Sequence, residues 1–152
     1  MVGRGDLGLR LMRHAATLDP DNPDQILGNA FAYWHWEEAG LLSEARQSLH
    51  RLGAKRELQT LDAWIAMGTF QTDDARRLIS ALLADAPNDE YALRALTVLR
   101  GTEADYQDAL RRVEAYVAAN DPEDTVGYFA DARICLNAWL GNKTAAVAYD
   151  LG

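Results

Sequence analysis

The sequence predicts an all-α fold of about eight helices, with consecutive helices packed antiparallel. Three observations carry that expectation. Apolar residues recur at helical intervals from one end of the chain to the other, with no sustained period-two alternation. Turn-forming residues cut this pattern into segments joined by connectors of a few residues, and connectors that short make neighbouring helices antiparallel. A spacing of small residue, large apolar residue, small residue and proline also returns with a period of about 34 residues, so the helices come in pairs.

The first helix is expected from about Asp6 to Leu18. Pro20 and Pro23 mark its boundary. Asn22 is placed to cap the next helix, Pro23 suits the first helical position, and Gln25 follows Asn22 by three, as in a capping box. That second helix is expected from Asp24 to Ala39, stopped by Gly40. Ser43 and Glu44 open a third, ending near Gly53. A fourth covers Arg56 to Met67 and ends at Gly68. Thr72 is an N-cap candidate, and Asp73 and Asp74 fall in the first turn, where the helix dipole favours carboxylates. That fifth helix ends before Pro87. A sixth runs from Asp89 to Arg100 and stops at Gly101. Thr102, Glu103 and Asp105 open a seventh that ends near Asn120. Asp121-Pro122-Glu123-Asp124 starts an eighth, and Gly141-Asn142 is the last turn.

The repeat is set by Gly8, Met12, Ala15 and Pro20. Ala75, Ile79, Leu82 and Pro87 reproduce its intervals. Ala109, Val113 and Tyr116 follow, with Pro122 one residue late, and Ala45, Leu49 and Leu52 follow without a proline. The anchors Gly8, Ala45, Ala75 and Ala109 each stand about one such period after the one before, and Ala145 or Ala146 stands at the next step. A small residue early in the second helix of a pair lets the two helices approach closely. The large residue one turn later fills the groove between them, the second small residue admits the next pair, and proline stops the helix.

These residues resemble tetratricopeptide repeats. Leu18-Asp19-Pro20-Asp21-Asn22 is similar to that family's inter-repeat turn, Asp105-Tyr106-Gln107-Asp108-Ala109 to its second-helix start, and Leu27-Gly28-Asn29-Ala30-Phe31 to its first helix. The resemblance implies a right-handed α-solenoid of antiparallel helix pairs, forming one domain over residues 1–152. The departures are specific. Asp24–Ala39 is about three residues too long for the family, the helix near Glu90 lacks the usual small residue and aromatic, and the Trp-x-x-Leu-Gly-x-x-Tyr signature is complete nowhere. The alternative is a generic helical bundle with alanines at these spacings.

The 152 residues suffice for a sizeable core. A net charge of −8 argues against nucleic acid and against anionic membranes, both of which require clustered Lys and Arg. Cys135 is the only cysteine, so no internal disulfide exists. Met1 to Asp6 lacks the apolar stretch of a signal peptide, and no apolar run approaches the ~20 residues of a membrane span, so no membrane insertion and a cytoplasmic location are expected. His14, His35 and His50 have no helical metal-pair spacing, which leaves no metal site. No phosphate-binding glycine motif or nucleophile elbow occurs. Glu37-Glu38 and Asp73-Asp74 are adjacent pairs that diverge around a helix, and Arg4-Gly5-Asp6 is a tripeptide common by chance. No catalytic residue and no cofactor are expected, and the chain does not read as an enzyme.

Binding is expected instead. Phe31, Tyr33, Trp34, His35 and Trp36 wrap too much of one helix to enter a single core stripe. In helix-pair arrays the first helices line the concave face. Carrying the family's groove pattern across places Leu27, Phe31, Trp34 and His35 there, then Thr60, Trp64 and Met67, then Tyr91, Arg94 and Val98, then Phe129 and Arg133. Aromatics and arginine are the types enriched at binding hot spots. The resemblance therefore implies a scaffold or adaptor that binds a peptide or helix of a partner protein. The alternatives are a chaperone or assembly factor of a secretion or envelope complex, or a non-catalytic regulatory domain of a longer protein. Both ends read as cut surfaces. In the first helix, Leu9 and Met12 point away from a stripe centred near Leu11, so their side is expected to be covered by a second copy, the rest of a longer chain or the partner.

Overall fold

The computed structural model describes the backbone of residues 5–35, 37–123, 127 and 129–148. Every regular element among them is a helix: α1 (Gly5–Leu18), α2 (Pro23–His35), α3 (Ala39–Arg51), α4 (Lys55–Gly68), α5 (Thr72–Asp85), α6 (Glu90–Val98), α7 (Glu103–Asn120), α8 (Ala130–Trp139) and α9 (Lys143–Ala148). The chain divides into two compact units, residues 1–65 and 66–152, with the division inside α4. In the first unit α1 packs on α2 and α2 on α3. In the second, α5 packs on α6, α6 on α7 and α8, α7 on α8, and α8 on α9.

The repeat register describes the core. Ala45, Ala75 and Ala109 are buried, as are Leu49, Ile79 and Val113 one turn later. Each alanine lets its helix approach a neighbour closely, and each larger residue occupies the space beside it. Leu27, Ala30 and Leu61 complete the first core, and Leu93, Phe129 and Leu136 are fully buried in the second.

Four helices end the same way. At the end of α2, Glu38 N–H donates to Tyr33 O at 2.8 Å and Glu37 N–H to Trp34 O at 3.1 Å, with Glu37 at φ 59°. The pattern recurs after α3, where Ala54 and Gly53 donate to Leu49 O and His50 O; after α4, where Gln71 and Phe70 donate to Ala66 O and Met67 O; and after α8, where Asn142 and Gly141 donate to Asn137 O and Ala138 O. This is the Schellman closure, which needs a left-handed residue. Gly53 and Gly141 supply it without strain, whereas Glu37 and Phe70 adopt it at a steric cost.

Five expected boundaries are corrected, the first three of them at these closures. The second helix stops at His35, not at Ala39, because Glu37 takes the left-handed turn; Gly40 then lies inside α3, which starts at Ala39 rather than at Ser43. Thr72 is the first residue of α5, and its predecessor Gln71 makes no side-chain cap. The sixth helix stops at Val98, short of Arg100, and the eighth starts at Ala130. Pro122 and Glu123 form a turn rather than a helix start, while Asp124 lies outside the described residues.

Other expected boundaries hold. Asn22 Oδ1 accepts from Gln25 N–H at 3.2 Å, and Pro23 is the first residue of α2. Thr102 and Asp105 form a reciprocal capping box on α7. Thr102 N–H donates to Asp105 Oδ2 at 2.7 Å, and Arg76 Nη1 donates to Asp105 Oδ1 at 3.0 Å. Those bonds to Thr102 hold the Asp105 carboxyl below its ordinary value, and Arg76 adds to the effect. Gly101 is required here: a Cβ on it would meet Asp105 Oδ2 at 2.6 Å.

Phe70 is 87% exposed, so its side chain contributes almost no packing while its backbone is strained. Phe70→Gly is expected to stabilise the fold by about 0.5–1 kcal/mol, the left-handed penalty less glycine's larger unfolded-state entropy. Chemical denaturation measures it, and a destabilised variant contradicts the account. Ala75 is 0% exposed. Ala75→Leu is expected to overpack its helix contact and cost about 1–3 kcal/mol in the same measurement.

Candidate partner-binding face

The residues expected to line a groove separate into two groups, one in each unit. In the first unit α2 carries Phe31, Trp34 and His35. Phe31 meets Trp64 of α4 edge to face, with ring centroids 5.6 Å apart, so α2 and α4 touch through two of the expected site residues. Trp34 and Trp64 are half-buried and His35 is exposed. Tyr33 and Leu27 belong to the core, and Trp36 lies outside the described residues. Thr60 is buried one turn before Trp64 on the same face of α4. Thr60 Oγ1 and Trp64 Nε1 are both buried without a hydrogen-bond partner.

In the second unit the expected residues are largely engaged in packing. Phe129 is 1% exposed, with the Tyr116 ring edge-on at 5.4 Å and the Arg94 guanidinium 4.7 Å above its centroid. Arg94 also pairs with Glu90 at 3.1 Å. Arg133 is buried and paired with Glu114 of α7 at 3.0 Å. Met67 and Tyr91 are half-buried, and Val98 is exposed. Burial thus removes Thr60, Phe129 and Arg133 from the reach of a docking partner, and gives them packing roles instead. Phe129 holds a left-handed backbone at φ 59°, a strain that persists because the ring is gripped on two sides.

The exposed side of α1 differs from the one expected. Leu7, Leu11 and Leu18 are 43%, 60% and 74% exposed, whereas Gly8, Met12, Ala15 and Ala16 are half-buried. The Leu9 side chain lies outside the described residues. The repeat register explains the inversion. Its small residues Gly8 and Ala15, with Met12, are the positions that allow close packing, and they turn the leucine stripe outward.

Among the described residues no group of three or more His, Cys, Asp or Glu is placed to hold a metal ion, and no helix is long and apolar enough to cross a membrane. No protein-family model, curated protein or solved structure matches the chain.

The two groups differ in what truncation costs. Phe129→Ala is expected to destabilise the protein by about 3–5 kcal/mol, as for a buried aromatic. His35→Ala is expected to stay within about 0.5 kcal/mol of the parent, as for an exposed position. Thermal or urea unfolding distinguishes them, and equal costs contradict the assignment.

Proposed function

We propose that the chain is an array of helix pairs of the tetratricopeptide type, a right-handed α-solenoid, that acts as a non-catalytic scaffold binding a peptide or helix of a partner protein. Support for the array comes from contacts that skip one helix. Phe31 of α2 meets Trp64 of α4, Arg76 of α5 meets Asp105 of α7, and α6 packs on α8. Stacked helix pairs require such contacts, because each first helix touches the first helix of the next pair. The non-glycine left-handed exits of α2 and α4, at Glu37 and Phe70, stand about one period of the family apart.

The observation that carries the binding role is the α2–α4 face. Trp64 stays half-buried while its indole N–H lacks a partner, and Trp34 remains half-exposed. A buried polar group without a partner costs about 1–3 kcal/mol, which a ligand carbonyl or amide recovers on docking. Tryptophan is also the residue type most enriched at hot spots. The Arg94–Phe129 region adds less, because its aromatic is already filled by its own arginine.

The test uses the partner recovered by co-purification from the native host. Trp34→Ala is expected to weaken its binding by about 2 kcal/mol or more. Trp64→Phe keeps the ring and removes the N–H, and is expected to weaken binding while circular dichroism stays unchanged. Undiminished binding in both variants contradicts the proposed face. Loss of folding in Trp34→Ala would assign that residue to the core.

A further inference from the structure

A cavity lies in the first unit between the C-terminal end of α1 and the α2–α3 hairpin. It encloses about 160 Å³ and is partly open to solvent. Ala16, Ile26, Leu41 and Ala45 give it an apolar wall. Two carboxylates, Asp19 and Glu44, are part of the lining, and no basic residue is. The interior of an acidic cavity attracts a cation, but acidic residues alone do not make a site. The second observation is Asn29, which also lines the cavity. It is 6% exposed, and its Nδ2 is buried with no hydrogen-bond partner. It interrupts the apolar stripe formed by Ile26, Ala30 and Tyr33 on the packed side of α2, where an aliphatic residue would serve packing better.

Tyr33 stands in the same wall, buried, one turn after Asn29. Burial pushes its phenol up, the Arg13 charge works against that, and the Glu44 charge reinforces it. Arg13 is exposed on α1 and is not part of the lining. Asp19 is held in place by Asn22 Nδ2 at 2.9 Å.

The lining therefore offers one buried donor seeking an acceptor, two carboxylates seeking a cation, and an apolar wall. We propose that this cavity binds an ammonium group separated by one carbon from a neutral carbonyl, which is the free N-terminal residue of a peptide. The ammonium is taken by Glu44 and Asp19 in charge-assisted hydrogen bonds, and the carbonyl accepts from Asn29. A small side chain lies against Ile26, Leu41 and Ala45. A cavity of about 150 Å³ admits a group the size of benzene, so one small residue fits and the rest of the peptide leaves through the open side. A free carboxylate in place of the carbonyl is disfavoured by the same two acids. The site is separate from the α2–α4 aromatic face, since Asn29 and Phe31 lie roughly 200° apart around α2.

The probe is L-alaninamide, titrated into the full chain labelled with nitrogen-15. Saturable shifts of the Asn29 side-chain amide and of the Ala45 backbone amide are expected at millimolar concentrations or below. N-acetyl-alaninamide and free alanine are expected to bind at least about tenfold more weakly, a difference of about one charged contact. Glu44→Gln and Asn29→Leu are each expected to weaken alaninamide by about tenfold or more, with circular dichroism unchanged. Glu44 is exposed, so its variant keeps the test open if Asn29→Leu alters the fold. The proposal is overturned by the absence of saturable shifts, by equal binding of the acetylated compound, or by an Asn29 amide that contacts water and ignores alaninamide, which would make the cavity a hydration site.

Discussion

The close approach of helices over alanine is the constraint on which the rest depends. Ala45, Ala75 and Ala109 are buried at these approaches, and Leu49, Ile79 and Val113 one turn on are fully buried beside them. This contact recurs because α3, α5 and α7 carry it in the same register. It decides which side of each helix faces inward, and therefore which residues remain outside to bind anything. In α1, where Gly8 and Ala15 take the same places, the register overrides hydrophobicity: three leucines face solvent so that small residues can pack.

Electrostatics reinforces this arrangement without creating it. Arg46 and Asp62 bridge α3 and α4 at 2.9 Å, and Arg56 reaches Asp24 of α2 at 3.4 Å. Both pairs are substantially exposed, so each contributes little by itself. Arg76 is a different case. It bonds both Asp105 of the capping box and the Arg100 carbonyl, at 3.0 Å each, and so joins α5 to the start of α7 through atoms that already fix that start. Asp105 serves the cap and the bridge together, and the missing side chain at Gly101 makes the space for it.

Helix identity and the repeat register are legible in the residues, because periodicity and alanine spacing report directly on packing. The helix ends are legible at Gly53, Gly141 and Thr102, where a glycine or a capping residue announces them, whereas Gly40, Thr72 and Pro122 announce boundaries that lie elsewhere. They are not legible at Glu37 and Phe70, since nothing about a glutamate or a phenylalanine advertises a left-handed backbone. The aromatic cluster on α2 is visible in the sequence, as is its division between core and surface. Trp64 stands out too, but its contact with Phe31 exists only once the fold has carried α4 back beside α2. In the second unit aromatic and arginine suggest a surface for a partner, and the chain uses them on itself: Arg94 covers Phe129. Asn29 gives no signal, because an asparagine in a helix looks ordinary until its surroundings are known to leave its amide unmet.

The four paired closures leave connectors of only three residues, at 36–38, 52–54, 69–71 and 140–142. Each closure uses both of its donors, and the next helix begins at once. An added residue must either break the paired bonds or carry the following helix about 100° out of phase, turning its alanine away from its neighbour. Chain length is therefore frozen at these points in a way that side-chain identity is not. The nine residues from Asp121 to Phe129 between α7 and α8 carry no such closure among the described positions. An insertion of a tag or a second domain is therefore costly at these four connectors and is better placed in a connector without a paired closure, such as 86–89 between α5 and α6.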